Sequence, residues 1–267
     1  IVREGHPVSG SLFQNGLIIS VHDTLLALQE IARYHRSKFT LPVIGITGSN
    51  GKTTTKEMLW SILSQKFNVL RNEGNLNNHI GVPLTLFRLN SSHQMAIIEM
   101  GISERGELTR LCQIAAPDAA IITNIGPTHL EKLGRIENVA EAKGEILKFI
   151  TSDGSCILNR DDKFFDVFKA MSSGRIISFG MSSVADVYVE YDETDVEDKS
   201  PGSIDFKLIC PAGKININMH VIGLHNLYNA VCAAAAAHAR GTSLADIKSG
   251  LEKFTPVKMR SVVEKVG

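Results

Sequence analysis

The sequence predicts an α/β fold: a mainly parallel sheet flanked by helices, of the phosphate-loop type, with a small antiparallel β-subsheet. Three observations lead there. From residue 42 to residue 179, short apolar runs alternate with stretches of helical periodicity. The first run ends in a glycine-bracketed polar turn, GITGSNGKTTT, which opens directly into a helical pattern. After Gly180 the alternation stops, and three strand-like runs follow with no helix between them.

Residues 24–38, TLLALQEIARYHRSK, carry apolar residues at helical spacing and predict an amphipathic helix. It leads through Phe39–Leu41 into the first strand of the sheet. The mixed stretch before it, residues 5–21, is too short to fold alone, so residues 1–40 read as the tail of an upstream domain plus a connector. The chain starts with Ile1 rather than Met and has no signal peptide, which gives the expectation of a piece cut from something longer.

Strands are expected at 42–47, 67–70, 94–99, 119–123, 155–159 and 175–179, with helices at 53–65, 78–89, 104–115, 137–150 and 162–172. Strands joined through helices pair in parallel, and ligand groups gather at their carboxyl ends. Residues 186–191, 204–210 and 215–222 predict the antiparallel subsheet, and DETDVEDKSPGS between the first two reads as a solvated hairpin loop. A helix over 225–240, HNLYNAVCAAAAAHAR, stops at Gly241 in the position after the helix end. A last helix over 243–253 precedes Pro256. The central domain thus runs over 41–256, and 257–267 reads as a hinge leaving it.

Composition narrows the partners. With 43% hydrophobic residues the chain can bury a sizeable core, and 28 basic residues balance 28 acidic ones. Nothing there argues for a nucleic-acid or membrane-surface partner. No stretch approaches the ~18 unbroken apolar residues of a membrane span. Cys112, Cys156, Cys210 and Cys232 lie far apart, several of them in apolar runs. They are expected to be buried free thiols in a reducing cytoplasm.

The turn at 48–54 is the strongest local signal. Successive backbone N–H groups in such a turn can point at one anion, and the helix beginning near Lys52 adds its positive dipole end. Gly48 and Gly51 permit backbone angles and close approaches that a side chain would block. Lys52 can reach terminal phosphates, and the Thr53 hydroxyl is placed to hold a magnesium ion. The usual pattern, G-x-x-x-x-G-K-[ST], would put its first glycine at Ile46, whereas glycines stand at Gly45 and Gly48. With the preceding strand and Lys52–Thr53 in place, the segment still reads as a nucleoside-triphosphate site.

Other residues fall at the same sheet edge. Glu99 ends a buried strand, where an acid is costly unless it faces a cation, so it is a candidate magnesium ligand. Its competing role is to cap the helix near Ser103. His129 follows strand 119–123 on a loop beside the phosphate turn, where it could ligate a second metal ion or orient substrate. Lys143 lies in a helical run, NVAEAKGEILKF, where a lysine ordinarily lies on a solvated face. Asn226 and Asn229 share a helix face, and their amides each offer the donor and acceptor that adenine needs. Helix capping by His225 or Asn226 is an equal account of that spacing.

Together these segments resemble the Mur ligase family of ATP-dependent amide ligases. The residues that carry the resemblance are TGSNGKTTTKEM at 47–58, GNLNNHIGVPLTL at 74–86, EMGISERGEL at 99–108 and NIGPTHLEKLG at 124–134. The family turn T-G-[ST]-N-G-K-T accounts for the departure at Ile46. The E-M-G-x-x-x-x-G-E run is the most specific, and it points to the members that join D-alanyl-D-alanine to UDP-N-acetylmuramoyl-tripeptide.

The resemblance implies that Gly48, Ser49, Asn50, Gly51, Lys52, Thr53 and Thr54 hold the β- and γ-phosphates of ATP. It implies that Thr53 and Glu99 share one Mg2+ and that His129 binds a second. Lys143 would be carbamylated and ligate metal through the carbamate oxygens. Asn226 and Asn229 would lie on the adenine side, and Arg260 would reach the nucleotide from the exit hinge. It also implies a cytoplasmic monomer acting in peptidoglycan precursor synthesis through an acyl phosphate, with the piece inactive alone. Two alternatives stand beside this. One is a related ligase acting on another muramyl peptide or a folylpolyglutamate. The other is a nucleotide-binding module without chemistry, which would not need Thr53, Glu99, His129 and Lys143 together.

Overall fold

A computed structural model of the chain describes residues 1–4, 18–192 and 202–255. Residues 193–201 of the expected hairpin loop over 192–203, the exit hinge and Arg260 lie outside those residues.

In chain order, β1 (Val2–Arg3) and β2 (Ser20–Val21) form a short parallel pair ahead of α1 (Thr24–Arg36). Asp23 caps α1, its carboxylate accepting from the Leu25 and Leu26 N–H groups. The central run is β3 (Val43–Thr47), α2 (Lys52–Leu63), β4 (Val69–Arg71), α3 (Gly81–Leu86), β5 (Met95–Glu99), α4 (Glu107–Ala115) and β6 (Ala119–Ile122). It continues through α5 (Leu130–Leu133), α6 (Ile136–Gly144), a 3-10 turn over Glu145–Phe149, β7 (Ser155–Asn159), α7 (Phe165–Met171) and β8 (Arg175–Phe179). Then come β9 (Tyr188–Tyr191), β10 (Ile204–Cys210), β11 (Gly213–Met219), α8 (Leu224–Ala239) and α9 (Leu244–Glu252).

The six-stranded sheet has the order β4-β5-β3-β6-β7-β8, and every neighbouring pair is parallel. From β3 the chain runs out to the β4 edge, returns to β5, and then crosses to β6 on the other side. The strand order therefore reverses at β3, and loops after β3, β5 and β6 open a crevice at the carboxyl edge. Register puts Ile46 beside Glu99 and Thr47 beside Ile122. The second sheet, in the order β11-β10-β9, is antiparallel throughout, as the sequence predicts.

Two hydrophobic layers cover the parallel sheet, which is why β3, β5 and β6 are buried from end to end. One layer joins Ile44, Ile46, Ile97 and Ile121 to α2, α8, α9 and the antiparallel sheet. The other joins Val43, Ala96, Ile98 and Ala120 to α4, α6 and α7. The alanine run of α8, Ala233–Ala237, is fully enclosed, its small side chains allowing close approach of the neighbouring elements.

Several helices are shorter than periodicity suggests, and polar side chains explain it. The helix expected over 78–89 starts at Gly81, because Asn78 Oδ1 takes the Ile80 and Gly81 N–H groups. The one expected over 104–115 starts at Glu107, whose carboxylate accepts from Ser103 and Glu104 N–H and closes a turn ahead of it. The one expected over 162–172 starts at Phe165, after an Asp162 turn that takes the Phe164 N–H at 2.9 Å. The helix expected over 137–150 breaks into α6 and a 3-10 turn.

Candidate active site

The site is built at the carboxyl edge, on the turn between β3 and α2. Gly48 and Gly51 both have positive φ, at 144° and 78°. A Cβ on Gly48 would run into the Thr123 side chain, and one on Gly51 into the Asn229 amide. Only glycine therefore lets this turn lie so close to its neighbours. The loop after β6 holds the turn in place. Ser49 N–H donates to the Asn124 carbonyl at 2.9 Å and Asn50 N–H to Asn124 Oδ1 at 3.0 Å. Thr123 Oγ1 donates to the Asn50 carbonyl at 2.6 Å. No side chain caps α2. Its amino end thus offers N–H donors and a positive dipole end to an anion. Lys52 Nζ folds over the turn, donating to the Gly48 and Ser49 carbonyls at 2.8 and 3.2 Å.

Glu99 faces this turn from the end of β5. The Thr53 hydroxyl donates to its Oε1 at 3.1 Å, and the Asn77 amide donates to the same oxygen at 2.8 Å. Asn72 fixes the Glu99 backbone from both sides, accepting its N–H at 2.6 Å and donating to its carbonyl at 3.2 Å. Glu99 Oε2 makes no hydrogen bond, although the Lys56 ammonium stands 3.4 Å away. A buried carboxylate oxygen without a hydrogen bond, beside a threonine hydroxyl, is a donor set that fits a hard cation such as magnesium. Glu107 closes the turn at Ser103, and the Glu145 carboxylate accepts from the Gly106 and Thr109 N–H groups at 2.8 and 3.0 Å, so Glu99 has no capping role.

Lys143 departs from what its sequence context suggests. It is only 2% exposed, not on a solvated face. Burial, and then the nearby charge of Lys52, push its amine from the usual 10.5 down to about 7. A neutral amine is therefore abundant near neutral pH, which nothing in the local sequence announces.

His129 is the amino-terminal flanking residue of α5, in the left-handed region at φ 55°. Its Nδ1 lies 3.9 Å from Glu131 Oε1. Its tie to the phosphate turn runs through the preceding residues: the Thr128 hydroxyl is 3.2 Å from that of Ser49, and Gly126 N–H donates to Ser49 Oγ at 2.8 Å. Among the described residues, no three His, Cys, Asp or Glu side chains converge in a cluster able to hold a metal.

Beside the turn opens a cavity of about 940 Å³. Asn50, Gly51, Thr54, Asn226 and Asn229 all line it, so residues far apart in sequence meet there. Asn226 donates to the Ile222 carbonyl at 2.8 Å, and Asn229 Oδ1 accepts from Thr55 Oγ1 at 3.3 Å. Neither His225 nor Asn226 caps α8: Gly223 occupies that position, with no side-chain cap bond.

Residues 46–237 match the family model described as the Mur ligase middle domain. The chain belongs to the Mur ligase family. The UDP-N-acetylmuramoyl-tripeptide–D-alanyl-D-alanine ligase of Haemophilus influenzae is 39% identical over 244 residues, 90% of this chain and 52% of the relative. A crystal structure of MurF from Acinetobacter baumannii superposes with a TM-score of 0.85 at 38% identity, covering 96% of this chain and 55% of that one. MurF ligase from Thermotoga maritima in complex with ADP gives 0.78 at 25% identity, over 96% of this chain and 57% of that one. The chain spans about half the length of the curated relatives it matches.

This Mur ligase domain brings the Thr53 hydroxyl to Glu99 and sets Gly51 against Asn229. Its site also uses residues the sequence reading passed over. Asp161 accepts the Tyr228 hydroxyl at 3.0 Å and the Met181 N–H at 2.8 Å, and Asp162 accepts the Ile125 N–H at 2.7 Å. Burial and Asp161 together raise the Tyr228 hydroxyl above its ordinary range. Asn159, Asp161, Asp162 and Tyr228 all line the cavity. The signal available for the first three was their place at the end of β7 and just after it, at the edge where Glu99 and His129 were found. Asn72, Asn77 and Lys56 were missed because their work is to hold Glu99, a role with no motif of its own. All four cysteines are buried free thiols. Among the described residues no helix is long and apolar enough to cross a membrane.

Proposed function

We propose that this chain is the ATP-binding middle domain of a ligase that adds D-alanyl-D-alanine to UDP-N-acetylmuramoyl-tripeptide in peptidoglycan precursor synthesis. The observation that carries the reading is the Gly48–Thr53 turn seated against Glu99 at the point where strand order reverses. ATP takes its β- and γ-phosphates into the amino end of α2, with Lys52 swinging from the Gly48 and Ser49 carbonyls onto them. Asn226 and Asn229 face the adenine side of the cavity, and Arg260, outside the described residues, would serve the nucleotide as the family resemblance implies.

Magnesium would be held by Thr53 and Glu99, with His129 and a carbamylated Lys143 serving a second ion. The ions supply charge neutralisation for the transferring phosphoryl group. The protein's own share is positioning, since phosphoryl transfer asks for alignment and charge balance more than covalent help. The terminal carboxylate of the tripeptide attacks the γ-phosphorus in line, giving an acyl phosphate and ADP. The amine of D-alanyl-D-alanine then attacks the acyl carbon, and phosphate leaves. Lys143 suits carbamylation because its amine is deprotonated over much of the neutral range and so can capture CO2.

The test is titration of the chain with a fluorescent ATP analogue and magnesium. Lys52→Ala is expected to weaken binding roughly tenfold or more, the loss of a charge-assisted contact to phosphate; undiminished affinity would remove the basis of the reading. Given ATP and both peptide substrates, the chain by itself is expected to bind nucleotide without turnover. The acyl phosphate must be shielded from water, and the chain spans about half of its relatives.

A further inference from the structure

Behind Glu99 lies a run of alternating charges that phosphoryl transfer does not call for. Lys56, in the first turns of α2, has a fully buried side chain. Its ammonium donates to the Asn72 carbonyl at 2.9 Å and stands 3.4 Å from Glu99 Oε2 and 3.2 Å from Glu57 Oε1. Glu57 is answered in turn by Arg71 Nε at 2.8 Å, and the Arg71 guanidinium lies 3.5 Å over the Trp60 ring. Burying an ammonium is costly, and apolar side chains in place of both members of a buried ion pair often serve stability at least as well. The charge of Lys56 therefore calls for a use beyond packing.

The balance of charge supplies one. Glu99 and Glu57 are already matched by Lys56 and Arg71 before any metal ion arrives. Glu99 Oε2 faces the ammonium without a hydrogen bond, so the pair is neutralised but the oxygen is not consumed. We propose that Lys56 is a positioning residue that denies Glu99 to a free divalent cation and reserves it for one arriving with polyphosphate. The inference rests on the reading of this site as one for magnesium and nucleotide. A lone dication meets a cancelled carboxylate and a nearby ammonium. A dication carried by phosphate oxygens brings its own negative charge, which outweighs that repulsion. Metal and nucleotide binding become coupled through one buried side chain.

Mn2+ is the probe, followed by the paramagnetic resonance of the free aqueous ion, with the 267-residue chain near pH 8, with and without ADP. The unaltered chain is expected to bind Mn2+ weakly alone and far more tightly with ADP. Lys56→Met should bind Mn2+ alone roughly tenfold more tightly, because a buried like charge has been removed, and the gain from ADP should shrink accordingly. Lys56→Arg should behave as the unaltered chain does. A merely structural role predicts the opposite sign, a loss of metal affinity in Lys56→Met. Equal or weaker nucleotide-free affinity in that variant overturns the inference. Should Lys56→Met not fold, Lys56→Met/Glu57→Gln, which removes one charge of each sign, takes the same measurement with the same expected direction. An unaltered chain that binds no Mn2+ even with ADP is a different result, overturning the proposed function and this inference with it.

Discussion

Lys143 carries a cost that only its neighbours reveal. Folded, its amine titrates near 7, whereas a lysine in an unfolded chain titrates at 10.5. Between those values the unfolded chain holds a proton that the folded chain does not, so stability rises with pH from about 7 to about 10.5. Lys143→Met removes that dependence. It is expected to stabilise the chain by about 2–4 kcal/mol at pH 8, a gain that shrinks towards pH 10.5. Urea unfolding across that range checks it, and parallel pH profiles for the two chains would contradict it. If the proposed function holds, 13C-labelled bicarbonate is expected to give a carbamate signal with the unaltered chain and none with this variant. Little of this was legible in the sequence, where Lys143 looks like any helical lysine. Lys52 and Thr53 were legible because a phosphate turn is a local device: strand, glycines, lysine and hydroxyl within one short segment. Lys56, Asn72 and Asp161 act through contacts 16 to 67 residues away along the chain, and spacing says nothing about those.

At the scale of elements, the strands were easy to place, because a buried parallel strand is an unbroken apolar run between polar turns. Helix ends were harder. Asn78, Glu107 and Asp162 each divert N–H groups into side-chain turns before the helix begins, and periodicity registers hydrophobic faces rather than such competition. Packing between α2 and α9 depends on one small residue. A Cβ on Gly250 would collide with the Ile62 backbone, and the Ser61 hydroxyl donates to the Gly250 carbonyl at 2.7 Å across the same crossing. Gly250→Ala must push the helices apart, since backbone cannot yield as a side-chain tip can. The expected loss is about 1–3 kcal/mol, the usual scale for overpacking. Thermal unfolding measures it, and a gain in stability, as alanine normally gives in a helix, would refute the crossing.

Across the whole molecule, the two edges of the parallel sheet divide the labour. The carboxyl edge holds the phosphate turn, Glu99 and the cavity; the amino edge is tied together by Asp118. Its Oδ1 accepts the Val43 N–H at 2.9 Å, and both carboxylate oxygens accept from Arg240, at 2.6 and 2.9 Å. The Asp118 carbonyl also accepts the Ser155 N–H at 3.3 Å, so one residue links β3, β6, β7 and the end of α8. This knot stands at the opposite end of β3 from Gly48. Breaking it should therefore cost stability without touching the ligand. Asp118→Ala leaves the Val43 N–H and a half-buried guanidinium without their acceptor, for an expected loss of about 1–3 kcal/mol. Affinity for an ATP analogue should stay within about twofold, since contacts at well-separated sites act independently. Urea unfolding and nucleotide titration of the same preparation decide it. A variant as stable as the unaltered chain would show that the knot contributes nothing. A variant of lowered stability that also lost nucleotide affinity would show that the amino edge governs the geometry of the site, and that the separation of edges fails.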